Sequence, residues 1–173
     1  AGRDAIATGT YSKTILFKDF PSFNANNSYS LGVELGDVKD GGTVTLTLDN
    51  ITFLTSAVYE DFEAMTDEQA KEFFPDNKDL ASYSIGVKDG VGEGGSKGLE
   101  LDMGFYPGSA ADNGWGWLNV QTGELPIKDA VGIRIWYTLN VDTASAATMR
   151  LTLKDRNAGA WTDIGFVGNA AGR

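Results

Sequence analysis

The feature that most constrains the fold is a short alternation of apolar and polar residues that recurs along the chain. Thr43–Leu48, Leu99–Phe105, Ile133–Leu139 and Met149–Lys154 each alternate with a period of two, which is typical of strands that bury one face. Further candidate strands are residues 14–17, 28–35, 51–59, 82–87, 117–121 and 161–167. The pattern predicts an all-β fold of about ten strands, arranged as an antiparallel β-sandwich.

Residues that favour turns separate these segments. Asp49–Asn50 and the stretches 39–42 and 155–159 are rich in Asp, Asn and Gly, which adopt positive φ or bond their own backbone. The segment Lys88–Gly98 contains five glycines and lacks a Walker-type phosphate motif. We predict a flexible hairpin loop there.

One segment departs from the strand pattern. Thr66-Asp67-Glu68-Gln69 has the form of a capping box, and Pro75 follows shortly after, so a short helical insertion is predicted near residues 66–74. Residues 60–79 hold eight acids and two lysines. We interpret this insertion as a solvated helix that covers one end of the sandwich through Phe62, Met65 and Phe73, and we also consider a calcium site or a protein-docking surface.

Composition narrows the functional classes. The 173 residues suit a single domain over 1–173, with residues 1–10 expected to be a linker or tail. A formal net charge of -10 without a basic cluster argues against nucleic acid, and the lack of a long apolar run argues against a membrane span. With neither His nor Cys, the chain cannot build a Ser-His-Asp triad, a Cys nucleophile or the usual zinc site.

Period two also assigns the strand faces. Ile133, Ile135, Tyr137 and Leu139 should face the core, which leaves Arg134 and Trp136 on the opposite surface. Leu118 and Val120 should likewise point inward. The same reasoning assigns to the outer surface Trp115, Trp117, Asn119 and Gln121, together with Asp102 and Tyr106.

If Leu99–Phe105, residues 117–121 and Ile133–Leu139 lie in one sheet, its outer surface presents aromatic planes beside carboxylate, amide and guanidinium groups. Sugar rings pack their C–H faces on aromatic rings, while their hydroxyl groups need hydrogen-bonding partners. We therefore predict a carbohydrate-binding site at Trp115, Trp117, Trp136, Tyr106, Asp102, Arg134, Asn119 and Gln121. The competing interpretation is that these aromatic residues only pack in the core.

A short motif resembles a known class of proteins. Gly132-Ile133-Arg134-Ile135-Trp136-Tyr137, after Leu125–Ala130, resembles a strand of jelly-roll carbohydrate-binding modules of the family 11 and family 4 type. Phe17–Phe20 and Trp161–Ile164 fit the same layout. The resemblance implies a secreted, extracellular bacterial domain, of the cellulosomal kind in some cases, that is linked to a catalytic domain which degrades plant cell walls. It also implies that a structural calcium ion often accompanies the fold.

These observations lead to one expectation and two alternatives. We expect a non-catalytic module that binds neutral β-linked plant polysaccharide, of β-glucan, xyloglucan or glucomannan type. A structural or adhesion β-sandwich is the first alternative. A jelly-roll glycoside hydrolase is the second, although Glu100 and Asp102 lie on one strand and form no catalytic pair across a cleft. No cofactor is required, but Asp155, Asn157 and Asp163 could hold a structural Ca²⁺ through oxygen ligands.

Overall fold

A computed structural model describes the backbone of residues 4–21, 23–36, 40–54, 58–74, 80–107, 118–125, 127, 129–142, 148–157 and 163–166. These residues form antiparallel strands and one short helix. The strands are β1 (Asp4–Ala5), β2 (Gly9–Leu16), β3 (Tyr29–Gly36), β4 (Asp40–Leu54), β5 (Val58–Glu60), β6 (Ser82–Lys88), β7 (Gly98–Pro107), β8 (Leu118–Gln121), β9 (Gly132–Asp142), β10 (Thr148–Asp155) and β11 (Asp163–Phe166). The mostly β architecture agrees with the sequence prediction.

The strands form two antiparallel sheets. The five-stranded sheet has the order β1-β10-β3-β8, with β11 also paired to β10. The six-stranded sheet has the order β2-β9-β4-β7-β6, with β5 paired to β4. The chain passes repeatedly between the sheets, since β8 and β10 belong to one and β7 and β9 to the other. The predicted tail at residues 1–10 already contains β1 and the start of β2.

The hydrophobic core contains buried residues of both sheets. Val44, Leu46 and Leu48 of β4 are fully buried, and each contributes roughly 1.5–3 kcal/mol relative to an exposed side chain. Leu31 of β3 and Leu153 of β10, from the other sheet, belong to the same cluster. The apolar members of the alternating segments whose side chains the structure describes therefore meet in one core.

Strand β4 corrects one turn prediction. Asp49–Asn50 is not a turn, because β4 continues through it to Leu54. The pairing of β4 with β9 shifts register between Asp49 and Thr52, and Asn50 has a positive φ of 47°. These are the properties of a β-bulge, which uses the same residue types as a turn.

Helix α1 (Asp67–Phe73) confirms the predicted insertion. Thr66 is the N-cap, and its side chain and that of Gln69 form the reciprocal capping-box bonds. The Asp67 carboxylate accepts a hydrogen bond from the Val87 backbone N–H at 3.0 Å, which ties the helix to β6. Among the described residues, no helix has the length and hydrophobicity needed to span a membrane.

Tyr137 gives the core a pH-dependent contribution. Its ring is 1% exposed, and burial, with a smaller effect of Tyr11, raises the pKa of its phenol to about 12. The unfolded chain ionises this group near pH 10. The stabilising contribution of the buried phenol is therefore fully present below that pH and is lost between about pH 10 and 12. The expected loss is on the order of 3 kcal/mol, since each pKa unit corresponds to about 1.4 kcal/mol. Denaturant titrations of the protein and of Tyr137→Phe should show a smaller alkaline loss in the variant; equal losses would contradict the assignment.

Candidate functional site

The outer surface of the six-stranded sheet is polar; we call it the polar face. In β9, the core residues Ile133, Ile135, Tyr137 and Leu139 are buried, as predicted. The intervening residues stand on the other side of the sheet, since side chains alternate along a strand. Across β2, β9, β4, β7 and β6, this face includes Ser12, Arg134, Trp136, Thr138, Asn140, Thr45, Thr47, Asp49, Glu100, Asp102 and Ser84.

Asp102 lies at the centre of a hydrogen-bonded row. Thr45, Asp102 and Ser84 are register partners on β4, β7 and β6. The Thr45 hydroxyl donates to Asp102 at 2.6 Å, and the Ser84 hydroxyl donates to its other oxygen at 3.4 Å. These two hydrogen bonds fix the orientation of the Asp102 carboxylate. Because Asp102 is partly exposed, it also remains in contact with solvent.

Glu100, the other acid of β7, forms an ion pair with Lys88 of β6. The hydrogen bond from Lys88 to Glu100 is the main reason why the pKa of this ammonium lies above its usual value. Lys88 is more than half exposed, so this pair contributes little to stability. It does place a positive charge directly beside the carboxylate of Glu100.

A second polar group occupies the Lys88–Gly98 end of the face; we call it the Asp49 cluster. Asp49 is fully buried, and it accepts hydrogen bonds from the Asn50 and Glu93 backbone N–H groups at 2.7 and 2.8 Å and from the Ser96 hydroxyl at 2.7 Å. Glu93 in turn accepts from the Asn50 amide at 2.8 Å and from Arg134 at 3.0 Å. The cluster thus joins the bulge of β4 to the glycine-rich loop.

The glycine-rich loop forms more hydrogen bonds than the sequence predicts. It contains a 3-10 turn, Glu93–Gly95, and is held at Gly92 by a bond from its backbone N–H to the Ser96 carbonyl at 2.9 Å. A Cβ at Gly92 would lie 2.5 Å from both Asp49 Oδ2 and Ser96 Oγ, so this glycine is required by close packing. The prediction of a flexible loop did not anticipate these bonds.

Trp136 stands on the predicted side of β9, but its side chain is not exposed as the predicted binding site requires. It pairs with Ser12 and Asp49 in register and does not belong to the core cluster. Nevertheless it is only 9% exposed. Its ring therefore does not offer an open plane to a sugar in this structure. Arg134, which donates to Ser12 and Glu93, is the more accessible of the two.

The predicted site residues do not share one sheet. Asp102, Arg134, Trp136 and Tyr106 belong to strands of the six-stranded sheet. Asn119 and Gln121 lie on β8, where they pair with Glu34 and Gly32 of the five-stranded sheet. The condition that these three strands share one sheet is therefore not met, because alternation assigns a face to a strand but no sheet.

Part of the predicted site lies outside the described residues. This applies to Trp115 and Trp117, which belong to the connection from Pro107 at the end of β7 to Leu118 at the start of β8. For Tyr106, Asn119 and Gln121 the structure describes the backbone alone.

Two of the three predicted calcium ligands, Asp155 and Asn157, lie together at one turn. The Asp155 carboxylate accepts from the Asn27 amide at 2.7 Å and from the Asn157 backbone N–H at 2.9 Å. Asn157 Oδ1 accepts from the Ser28 backbone N–H at 2.6 Å. These oxygens organise a turn. The Asp163 side chain lies outside what is described, and no cluster of three acidic residues that could hold a metal occurs among the described residues.

Sequence reasoning missed the Asp49 cluster and the hydroxyl groups around Asp102. The signal for the hydroxyl groups is visible in Thr43-Val44-Thr45-Leu46-Thr47-Leu48, where every outward position is threonine. Asp49 gave no such signal, because two of its three donors come from the distant residues Glu93 and Ser96. Only the fold brings them together.

Two open grooves lie away from the polar face. One, of about 430 Å³, lies between α1 and the loop that follows β8; we call it the α1 groove, and Glu60, Glu72, Phe73 and Glu124 are among its lining residues. The other, of about 550 Å³, is lined mainly by apolar residues around Phe17, Phe20 and Val131.

Comparison of the chain with protein-family models, with curated proteins and with solved structures finds no match.

Proposed function

We propose that this protein is a non-catalytic carbohydrate-binding module, and that it binds a neutral, β-linked polysaccharide on the open part of the polar face. The observation that carries the proposal is the row of Thr45, Asp102 and Ser84, in which the acid is held in place by hydroxyl groups and is still partly exposed. Asn140 and Ser12, both exposed, extend this hydrogen-bonding surface across neighbouring strands.

The chemistry of the row suits sugar hydroxyl groups. A carboxylate offers several acceptor positions, and the threonine and serine hydroxyls both donate and accept. Adjacent strands lie about 4.8 Å apart, so the row provides regularly spaced partners for an extended chain. The aromatic planes required for stacking would come from Trp115 and Trp117, which lie outside the described residues.

The surroundings of the acids favour binding over hydrolysis. A glycosidase needs two carboxyl groups that face each other across the substrate, one of them as a general acid. Here Glu100 is paired with Lys88, and Asp102 accepts from Thr45 and Ser84. Asp49 and Glu93 are engaged within their own cluster. These four acids therefore serve better as fixed hydrogen-bonding or structural groups.

The fold that accompanies this proposal is a jelly-roll β-sandwich. Two features support it: the two sheets contribute buried residues to one core, and the chain crosses between the sheets at β8, β9 and β10. A secreted module linked to a plant-cell-wall hydrolase is the corresponding biological setting.

Titration calorimetry tests the proposal. A β-1,4-linked or mixed-linkage glucan should bind with a dissociation constant of roughly 10–100 µM, or about 5.5–7 kcal/mol. Salt should have little effect because the ligand is uncharged. Asp102→Ala should weaken binding at least about ten-fold, since hydrogen bonds to charged groups contribute about 1.5–3 kcal/mol.

Asp19→Ala is the matched control, because it removes an exposed acid from a 3-10 turn away from the face. It should bind glucan like the unaltered protein. Equal affinity in Asp102→Ala would show that the row is not the binding surface. Salt-sensitive binding to polygalacturonate, with none to glucans, would overturn the assignment of a neutral ligand.

A further inference from the structure

The α1 groove has an apolar floor built from both of its walls. Met65 and Phe73 come from the helical insertion, and Leu125 from the loop after β8. Leu125 is buried, while Met65 and Phe73 pack against the core and remain partly exposed. The Phe73 ring is held by edge contacts with Phe62 and Phe74, at centroid distances of 5.8 and 5.2 Å. The floor is therefore formed before any ligand arrives.

The rim of the groove is acidic. Glu72 and Glu124 are exposed and Glu60 is partly exposed. Glu60 accepts from the Phe62 backbone N–H at 2.7 Å, and Glu124 accepts from the Ser28 hydroxyl at 2.7 Å. A carboxylate has about four acceptor positions, so each contact orients the group and leaves further capacity for a ligand. No lysine or arginine occurs among the described residues that line the groove.

This combination of apolar floor and acidic rim selects one kind of ligand. Arginine and lysine carry an aliphatic stem that packs on apolar surface and a charged end that meets carboxylates. The net charge of -10 adds a long-range attraction for cations. A second copy of the chain carries the same net charge and would be repelled. A neutral sugar could donate hydroxyl groups to these carboxylates, but it carries no positive charge to balance the acidic rim.

We propose that the α1 groove docks a basic, partly apolar peptide segment of a partner protein. Arginine stems would lie on Phe73 and Met65, and their guanidinium groups would pair with Glu72, Glu124 and Glu60. This interface is separate from the polar face, so the domain would bind a polysaccharide and a protein at different surfaces. The proposal does not depend on carbohydrate binding.

Nuclear magnetic resonance titration of the full chain provides the test. The probe is a capped peptide of about eight residues in which arginine and leucine alternate, compared with a peptide in which glutamate replaces arginine. At ~50 mM salt the arginine peptide should shift the signals of Met65, Glu72, Phe73 and Glu124. At ~500 mM salt the affinity should fall several-fold, because exposed ion pairs are then screened. The glutamate peptide should produce no shifts.

A pair of double variants separates the groove from the overall charge. Glu72→Gln with Glu124→Gln should weaken peptide binding by about two- to five-fold for each carboxylate. Asp61→Asn with Glu68→Gln removes the same charge from exposed positions of the same insertion that do not line the groove. This control should change the affinity less than about two-fold. Circular dichroism confirms that both variants fold.

Three results would overturn the proposal. The first is an equal loss of affinity in both double variants, which would indicate attraction by net charge alone. The second is peptide shifts that avoid the groove residues. The third is a saturable response of these residues to a glucan oligosaccharide or to Ca²⁺, with none to the arginine peptide. Glucan binding measured on the same variants should be unchanged, so that failure of the carbohydrate proposal would be visible separately.

Discussion

Replacing Asp49 with alanine should lower the free energy of unfolding by about 3–5 kcal/mol. The carboxylate is fully buried and accepts hydrogen bonds from two backbone N–H groups and from the Ser96 hydroxyl. Alanine would leave these donors without their acceptor and would open a small cavity. For a domain of this size the melting temperature should fall by roughly 2–4 °C for each kcal/mol.

Urea unfolding followed by tryptophan fluorescence measures this change. Asp89→Ala is the control, because Asp89 is an exposed acid in the same loop, and its loss should alter stability by less than about 0.5 kcal/mol. Similar midpoints for the two variants would contradict the structural role given to the Asp49 cluster.

Replacing Trp115 or Trp117 with alanine should abolish retardation by glucan in affinity electrophoresis. Binding surfaces concentrate their energy in a few aromatic residues, and Trp136, the aromatic residue of the polar face whose side chain the structure describes, is only 9% exposed. The proposal requires that these rings are exposed, and since an exposed ring contributes little to the core, thermal stability should then be nearly unchanged.

Trp136→Ala provides the contrast for these variants. Truncation of this largely buried side chain should lower the free energy of unfolding by several kcal/mol. The melting temperatures of the Trp115 and Trp117 variants should instead stay close to that of the unaltered protein. If Trp115→Ala and Trp117→Ala lose both binding and stability, these residues are packing residues and not a sugar platform.

Features of this fold are predictable from the sequence where their signal is local. The alternation of Ile133–Leu139 predicted both the strand and its buried residues, because side-chain direction along a strand has a fixed period. Thr66 and Gln69 predicted the start of α1 because the two hydrogen bonds of their capping box lie within one turn of the chain.

Features that depend on distant partners were not predictable. Nothing in Leu118–Gln121 indicates that its neighbour is β3 and not β7 or β9. Asp49–Asn50 suits both a turn and a bulge, and the pairing of β4 with β9 decides between them. The burial of Trp136 likewise depends on the three-dimensional surroundings of β9. The candidate site was therefore predicted in its residue types and only in part in its assembly.

The position of β9 in the six-stranded sheet has a consequence for the way the protein folds. This strand lies between β2 and β4, and its Arg134 bonds Ser12, which is 122 positions earlier in the chain. During synthesis, β2 and β4 must wait for their common neighbour until β5 to β8 and then β9 have been made. Such long-range closure makes folding slow, in the range of milliseconds to seconds. Until then the unpaired edges of both strands are open to pairing with other chains.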